Sequence, residues 1–231
     1  MAGLHGTVTA IDLITRRMRK ITITATELRG LPWKPGQQVR VRTGDGHGPK
    51  RSYSVYAQTE DRIELCVLDH GEDGPGTVWA RQLTIGQPVN FSKPEGSFVL
   101  RQPAPYHLFA GEETASVPFA AMLRALPEDA SVFGVIEVDS ADDRIPLSDS
   151  MMWTHRSIAW TYRGGASAAE SATLVDAVRE LKLPDQPGVA YLAGEAKTIQ
   201  LVRKHLVDDR GWSRRDVVTK PFWTPGRRGM D

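Results

Sequence analysis

Three short stretches in close succession carry the residue types from which an anion- and ring-binding site is built. Arg51-Ser52-Tyr53-Ser54 supplies a guanidinium, a phenol and two hydroxyls. Asp69-His70-Gly71 and Gly74-Pro75-Gly76-Thr77-Val78-Trp79 follow it. A guanidinium can pair with a pyrophosphate, a phenol can stack on a ring, and a hydroxyl can meet a flavin ring edge. A glycine-rich turn that opens a helix presents backbone N–H groups to the same pyrophosphate. Either piece alone is a weak signal; the order and distance point to a flavin site. On a strand Arg51 and Tyr53 share one face and Ser52 and Ser54 the other. Ser54 is therefore expected to reach a flavin through local twist or its backbone. Plainer readings stand beside these: Arg51 as a solvated strand residue, Gly76 and Thr77 as an ordinary turn and N-cap. His70 either faces the ligand or caps a loop, and Trp79 is either core or a cofactor contact.

A second pair of turns lies further on. Gly111-Glu112-Glu113-Thr114 follows an apolar strand and precedes a helix, and Ala193-Gly194-Glu195 repeats that geometry. Ligands of open α/β sheets bind beyond strand C-termini, so both turns are expected to border one cleft. Gly-x-Gly-x-x-Gly is absent, and Thr114 as a simple N-cap is the plain alternative. Asp139, Asp142 and Asp143 follow the next strand, where a carboxylate suits a free ribose 2′-hydroxyl and favours NADH over NADPH. The tail gathers Arg214, Arg215, Lys220, Arg227 and Arg228 around Phe222 and Trp223.

The elements that must position these groups change character along the chain. Thr7–Ile14 and Met18–Thr24 flank Thr15-Arg16-Arg17 as a hairpin. Gln37–Thr43 alternates Val39 and Val41 with Arg40 and Arg42, a half-buried strand. Lys50–Ala57, Arg62–Asp69 and Pro88–Ser92 continue the series, and a helix is expected over Gly76–Leu83. Strands punctuated by Gly and Pro predict a closed antiparallel β-barrel. Beyond Arg101–Pro105, strands at Tyr106–Ala110, Ser131–Val138, Ser157–Tyr162, Gly188–Ala193 and Asp216–Phe222 alternate with three amphipathic helices. In the first of these, Pro118 is expected in the opening turn behind capping candidates Thr114 and Ser116. Alternation of this kind predicts an α/β parallel sheet. The expected division is a barrel over 1–100, a linker over 101–105 and an α/β domain over 106–231.

The whole chain has 231 residues and a formal charge of +1, which excludes a generally basic nucleic-acid binder. Its single cysteine, Cys66, excludes a disulfide framework, and scattered histidines suggest no metal site. Cys66 itself is expected to be a small buried strand residue. With neither a membrane-length apolar run nor a signal-like start, a cytoplasmic protein that does not insert into membranes is expected.

These motifs resemble the siderophore-interacting protein family, a branch of the ferredoxin-reductase-like flavoproteins. The resemblance rests on Arg51–Ser54, on Asp69–Gly71 with Gly74–Ala80, and on Pro94-Glu95-Gly96-Ser97-Phe98. It continues through Gly111–Ala115, Ala193-Gly194-Glu195-Ala196 and Phe222-Trp223-Thr224-Pro225-Gly226. The resemblance implies an FAD-binding barrel followed by an NAD(P)H-binding α/β domain. It implies a reductase taking electrons from NADH or NADPH to a ferric siderophore, and the chain is expected to be a monomer. The implied FAD contacts are Arg51, Ser52, Tyr53, Ser54, Asp69, His70, Gly76, Thr77, Val78, Trp79 and Trp223. The implied NAD(P)H contacts are Gly111, Glu112, Glu113, Thr114, Ala193, Gly194 and Glu195. Lys220, with Arg40 or Arg42, is expected to attract an anionic ferric chelate. Two other functions fit the same residues: an electron module for a protein partner, or a non-catalytic carrier.

Overall fold

The computed structural model describes residues 3–44, 48–71, 74–147 and 155–227; Arg228 and the Asp45-Gly46 turn lie outside them. Six strands form the first half: β1 (Leu4–Leu13), β2 (Met18–Thr24), β3 (Gln38–Arg42), β4 (Lys50–Gln58), β5 (Arg62–Leu68) and β6 (Pro88–Phe91). They close in the order β1-β2-β5-β4-β3-β6, every recorded pair antiparallel. Closure leaves no unpaired sheet edge, so short strands with polar outer faces suffice. Val8, Ile21, Ile23, Val39, Val41, Val55, Ile63, Leu65 and Phe91 fill the interior. Helix α1 (Pro75–Gln82) buries Trp79 and Ala80 in that same cluster. On β5 the inward Ile63, Leu65 and Val67 alternate with Cys66, whose buried thiol joins the second half's core.

The second half is a parallel sheet built from β7 (His107–Glu112), β8 (Val132–Val138), β9 (Arg156–Tyr162), β10 (Val189–Glu195) and β11 (Val217–Trp223). Its order is β11-β10-β7-β8-β9. Every residue of β7 and β10 is buried, as expected of central strands covered on both faces. Helix α2 (Glu113–Ala125) packs on one face. Helices α3 (Ala172–Arg179) and α4 (Ala196–Lys204) pack on the other. After α4 comes a π-helical turn, His205–Asp209, and Gly211 at φ 73° follows, a left-handed position a glycine occupies without strain. Among the described residues no helix is long and apolar enough to cross a membrane.

Helix α2 departs from the sequence expectation. Strand β7 runs on to Glu112, the helix starts at Glu113, and Pro118 lies in its interior. The physical reason is the cap. Glu112 Oε2 accepts the Thr114 N–H at 3.0 Å, which starts the helix early. Thr114 is therefore a donor to the cap, and Ser116 Oγ bonds the Glu113 carbonyl instead of capping.

Candidate functional site

The barrel register decides where the Arg-Ser-Tyr-Ser segment points. Arg51 pairs with Val41 and Tyr53 with Val39, so both project to the inner side of the wall. Ser52 and Ser54 pair with Arg40 and Gln38 and share the outer side with them. Beneath α1 the Tyr53 ring stacks on Trp79, centroids 5.5 Å apart. Trp79 is only 5 % exposed, so of its two readings the core one describes its position. The Tyr53 phenol oxygen is buried and has no hydrogen-bond partner. Burial also drives its pKa up, so it stays an O–H donor. A Cβ on Gly76 would stand 2.6 Å from that oxygen and 3.7 Å from Arg51 Cγ. Glycine is what lets the first turn of α1 settle onto Tyr53 and Arg51.

The start of α1 is unlike the other helix starts. Its N-cap is Gly74, no side chain caps it, and Pro75 occupies the first turn. The other three α-helices are capped by their own Glu112, Ser171 and Glu195. An uncapped helix start beside a guanidinium and an unpartnered phenol suits the diphosphate of FAD. Around it, Thr77 Oγ1 lies 3.3 Å from His70 Nε2, which ties the loop to the helix. Asp69 receives Arg81 through two bonds, 2.7 Å from Nε and 2.6 Å from Nη2. Arg81 holds the Asp69 carboxyl down to about 2. Asp69 thus fastens α1 to the end of β5. Val78 lies half-buried on α1.

The two turns of the second half meet at one crevice. A Cβ on Gly111 would fall 2.3 Å from the Ala193 carbonyl oxygen, and one on Gly194 would fall 2.7 Å from Glu112 Oε1. Gly194 adopts φ 121°, available to glycine without strain. Glu112 is 2 % exposed, and burial followed by the neighbouring Glu113 charge pushes its carboxyl up. Glu195 is equally buried. Burial would raise its carboxyl too, but N–H bonds from Lys197, Thr198 and Glu170 outweigh this and hold it below the ordinary range. Trp223 donates its indole N–H to Glu112 Oε1 at 3.1 Å. That bond brings Trp223 to this crevice.

Lys220 lies half-buried on β11, in register with Ala193. Arg40 and Arg42 stand on the outer face of β3, and Arg40 Nε is 2.6 Å from Glu95. Among the described residues no hydrogen bond or ion pair links either arginine to Lys220. Sequence reasoning missed Arg17, in the turn between β1 and β2. Its Nε donates to Asp143 Oδ1 at 2.9 Å and its Nη2 pairs with Glu113. Arg163 reaches Glu113 from the other side. Burial would lower the Arg17 pKa, yet Asp143 and Glu113 raise it on balance. Arg124 adds a second link, lying 4.3 Å over the Tyr56 ring while donating to the Tyr56 carbonyl. Two adjacent arginines in a hairpin turn were the available signal.

Comparison with known proteins gives a consistent picture. The siderophore-interacting protein model matches residues 104–226, and the siderophore-interacting FAD-binding domain model matches residues 34–98. The chain is 26% identical over 239 residues to ferric vibriobactin reductase ViuB of Vibrio cholerae, covering 93% of this chain and 86% of that one. An uncharacterized protein of Mycobacterium tuberculosis is 33% identical over 177 residues, covering 71% of this chain and 60% of its own. The siderophore-interacting protein structure from Acinetobacter baumannii superposes with a TM-score of 0.85 at 18% identity, covering 98% of this chain and 92% of that one.

Proposed function

This chain belongs to the siderophore-interacting protein family, and from that membership we propose that it is an FAD-dependent reductase of ferric siderophores. In this reading NADH or NADPH is the electron source, the ferric chelate is the substrate, and Fe(II) is the product. One observation carries it: the only side-chain-uncapped α-helix start among the described residues lies over Arg51 and the unpartnered Tyr53 hydroxyl. Bound FAD would take two electrons from a nicotinamide and pass them on singly, as Fe(III) requires. The chain's part is to bind and orient. Arg51, the Tyr53 hydroxyl and the backbone of Gly76 and Thr77 would hold the diphosphate. Ser52 and Ser54 would border the flavin on the outer wall, and Asp69, His70 and Val78 would shape the loop and helix around it. Trp79 supports Tyr53 from behind.

The crevice of Gly111, Glu112, Glu113, Thr114, Ala193, Gly194 and Glu195 is the proposed side of donor entry, with Trp223 closing it. Lys220 is the proposed attractor of an anionic chelate; Arg40, already paired with Glu95, would contribute less. Hydroxamate and catecholate oxygens favour hard Fe(III), so its reduction loosens the metal. We assign 1–100 to the barrel unit and 106–231 to the α/β unit, with 101–105 as linker, acting in the cytoplasm as a monomer.

The test is spectroscopic. The purified protein is expected to be yellow, to bleach with NADH or NADPH under argon, and to recolour with a ferric chelate. Recolouring only with a protein acceptor would identify an electron module, and a colourless protein that takes up no FAD would identify a carrier. Lys220→Ala is expected to raise KM for an anionic chelate and flatten its salt dependence. Unchanged values of both would remove Lys220 from that role.

A further inference from the structure

The crevice between β7 and β10 lies where the sheet order reverses, the place at which an open α/β sheet ordinarily receives the diphosphate of a dinucleotide. A diphosphate binds there by taking hydrogen bonds from free N–H groups at a helix start. Here three of those groups are already spent on the chain's own carboxylates. Glu112 accepts Thr114 N–H at 3.0 Å at the start of α2. Glu195 accepts Lys197 N–H at 3.0 Å and Thr198 N–H at 2.8 Å at the start of α4. A third amide, from Glu170, reaches Glu195 at 3.2 Å.

The tail seals the same spot from β11. Trp223 bonds Glu112, and Thr224 Oγ1 lies 3.4 Å from Glu195 Oε1. Gly194 leaves no room either, since even a Cβ there would meet Glu112 Oε1 at 2.7 Å. Two of the three carboxylates beyond β8 that would read an adenosine ribose, Asp139 and Asp143, are engaged as well, and Asp142 is exposed. Asp143 is held by Arg17 and Ser140, and Asp139 accepts the Gly165 N–H and faces Arg16 at 3.7 Å. A diphosphate brought here would meet two buried glutamate side chains holding three of the amides it would need.

Building on the reading that a nicotinamide is the electron source, we propose that the donor is held by its nicotinamide mononucleotide half alone. The adenosine-phosphate half contributes no binding, and the 2′-phosphate that separates NADPH from NADH goes unread.

The experiment uses the FAD-loaded protein, so that the flavin's own adenosine site is filled. Anaerobic bleaching is followed with NADH, NADPH and reduced nicotinamide mononucleotide, and ADP-ribose binding is measured by calorimetry as a redox-inert probe. The three donors are expected to show half-saturation within about threefold of one another, with no ADP-ribose heat at millimolar concentration. Glu112→Gly, which frees the start of α2, is expected to strengthen ADP-ribose binding by about tenfold or more. Wild-type half-saturation for NADH about tenfold or more below that for the mononucleotide, or micromolar ADP-ribose binding, would overturn the inference while leaving the reductase reading intact. Should no nicotinamide bleach a flavin that dithionite does bleach, the donor reading itself falls and takes the inference with it. The wild-type comparison decides the matter even where Glu112→Gly does not fold.

Discussion

Replacing Tyr53 with phenylalanine removes one oxygen and is expected to stabilise the FAD-free protein while weakening its hold on FAD. The Tyr53 hydroxyl is buried without a partner, while its ring is held by Trp79 at 5.5 Å. Phenylalanine keeps the ring stack and deletes an unpaired polar group, which returns on the order of 1 kcal/mol to the FAD-free protein. For a chain of this size that is a rise in Tm of about 2–4 °C. In the FAD complex the same hydroxyl is proposed to donate to a charged phosphate, a bond worth about 1.5–3 kcal/mol. Its loss raises the Kd for FAD by roughly 10- to 150-fold. The assay pairs thermal melting of flavin-free protein with titration of FAD by quenching of its fluorescence. A lower Tm together with an unchanged Kd would show that the hydroxyl has a protein partner and that the diphosphate lies elsewhere.

Arg51→Ala, on the same inner face, is expected to weaken FAD by about 1.5–3 kcal/mol, read as loss of colour on dialysis; full retention would place the diphosphate away from α1. Arg17→Ala strips a cation from Glu113 and Asp143, both with side chains 2% exposed, and is expected to destabilise by about 2–3 kcal/mol after allowing for Arg17's own partial exposure. A denaturation midpoint equal to wild type would show that Arg163 alone satisfies Glu113. Asp69, with its carboxyl held at about 2 against an ordinary 3.8, contributes stability that is present above about pH 4 and is lost as pH falls toward 2. Asp69→Asn is expected to flatten melting temperature against pH across that window, and an unaltered slope would count against the Arg81 clamp.

Much of this molecule is legible in its residues because local chemistry writes it. Val39 and Val41 alternating with arginines predict a half-buried strand, and the structure has β3 there. Gly74-Pro75-Gly76 predicts a helix start, and α1 begins at Pro75. The two-part fold follows from period and punctuation, which neighbouring residues carry by themselves. Contacts across long stretches of chain do not announce themselves this way. Arg17 meets Asp143 across 126 positions, and Trp223 meets Glu112 across 111. Both depend on how the barrel and sheet pack. The glutamates at 112 and 195 could be placed at helix starts from sequence, but their direction could not. Whether a carboxylate at a helix start faces a ligand or turns back on its own amides is set by the strand packed beside it. Here β11 and a close glycine at 194 turn both inward, because a buried charge is tolerated only where the surrounding chain supplies its hydrogen bonds.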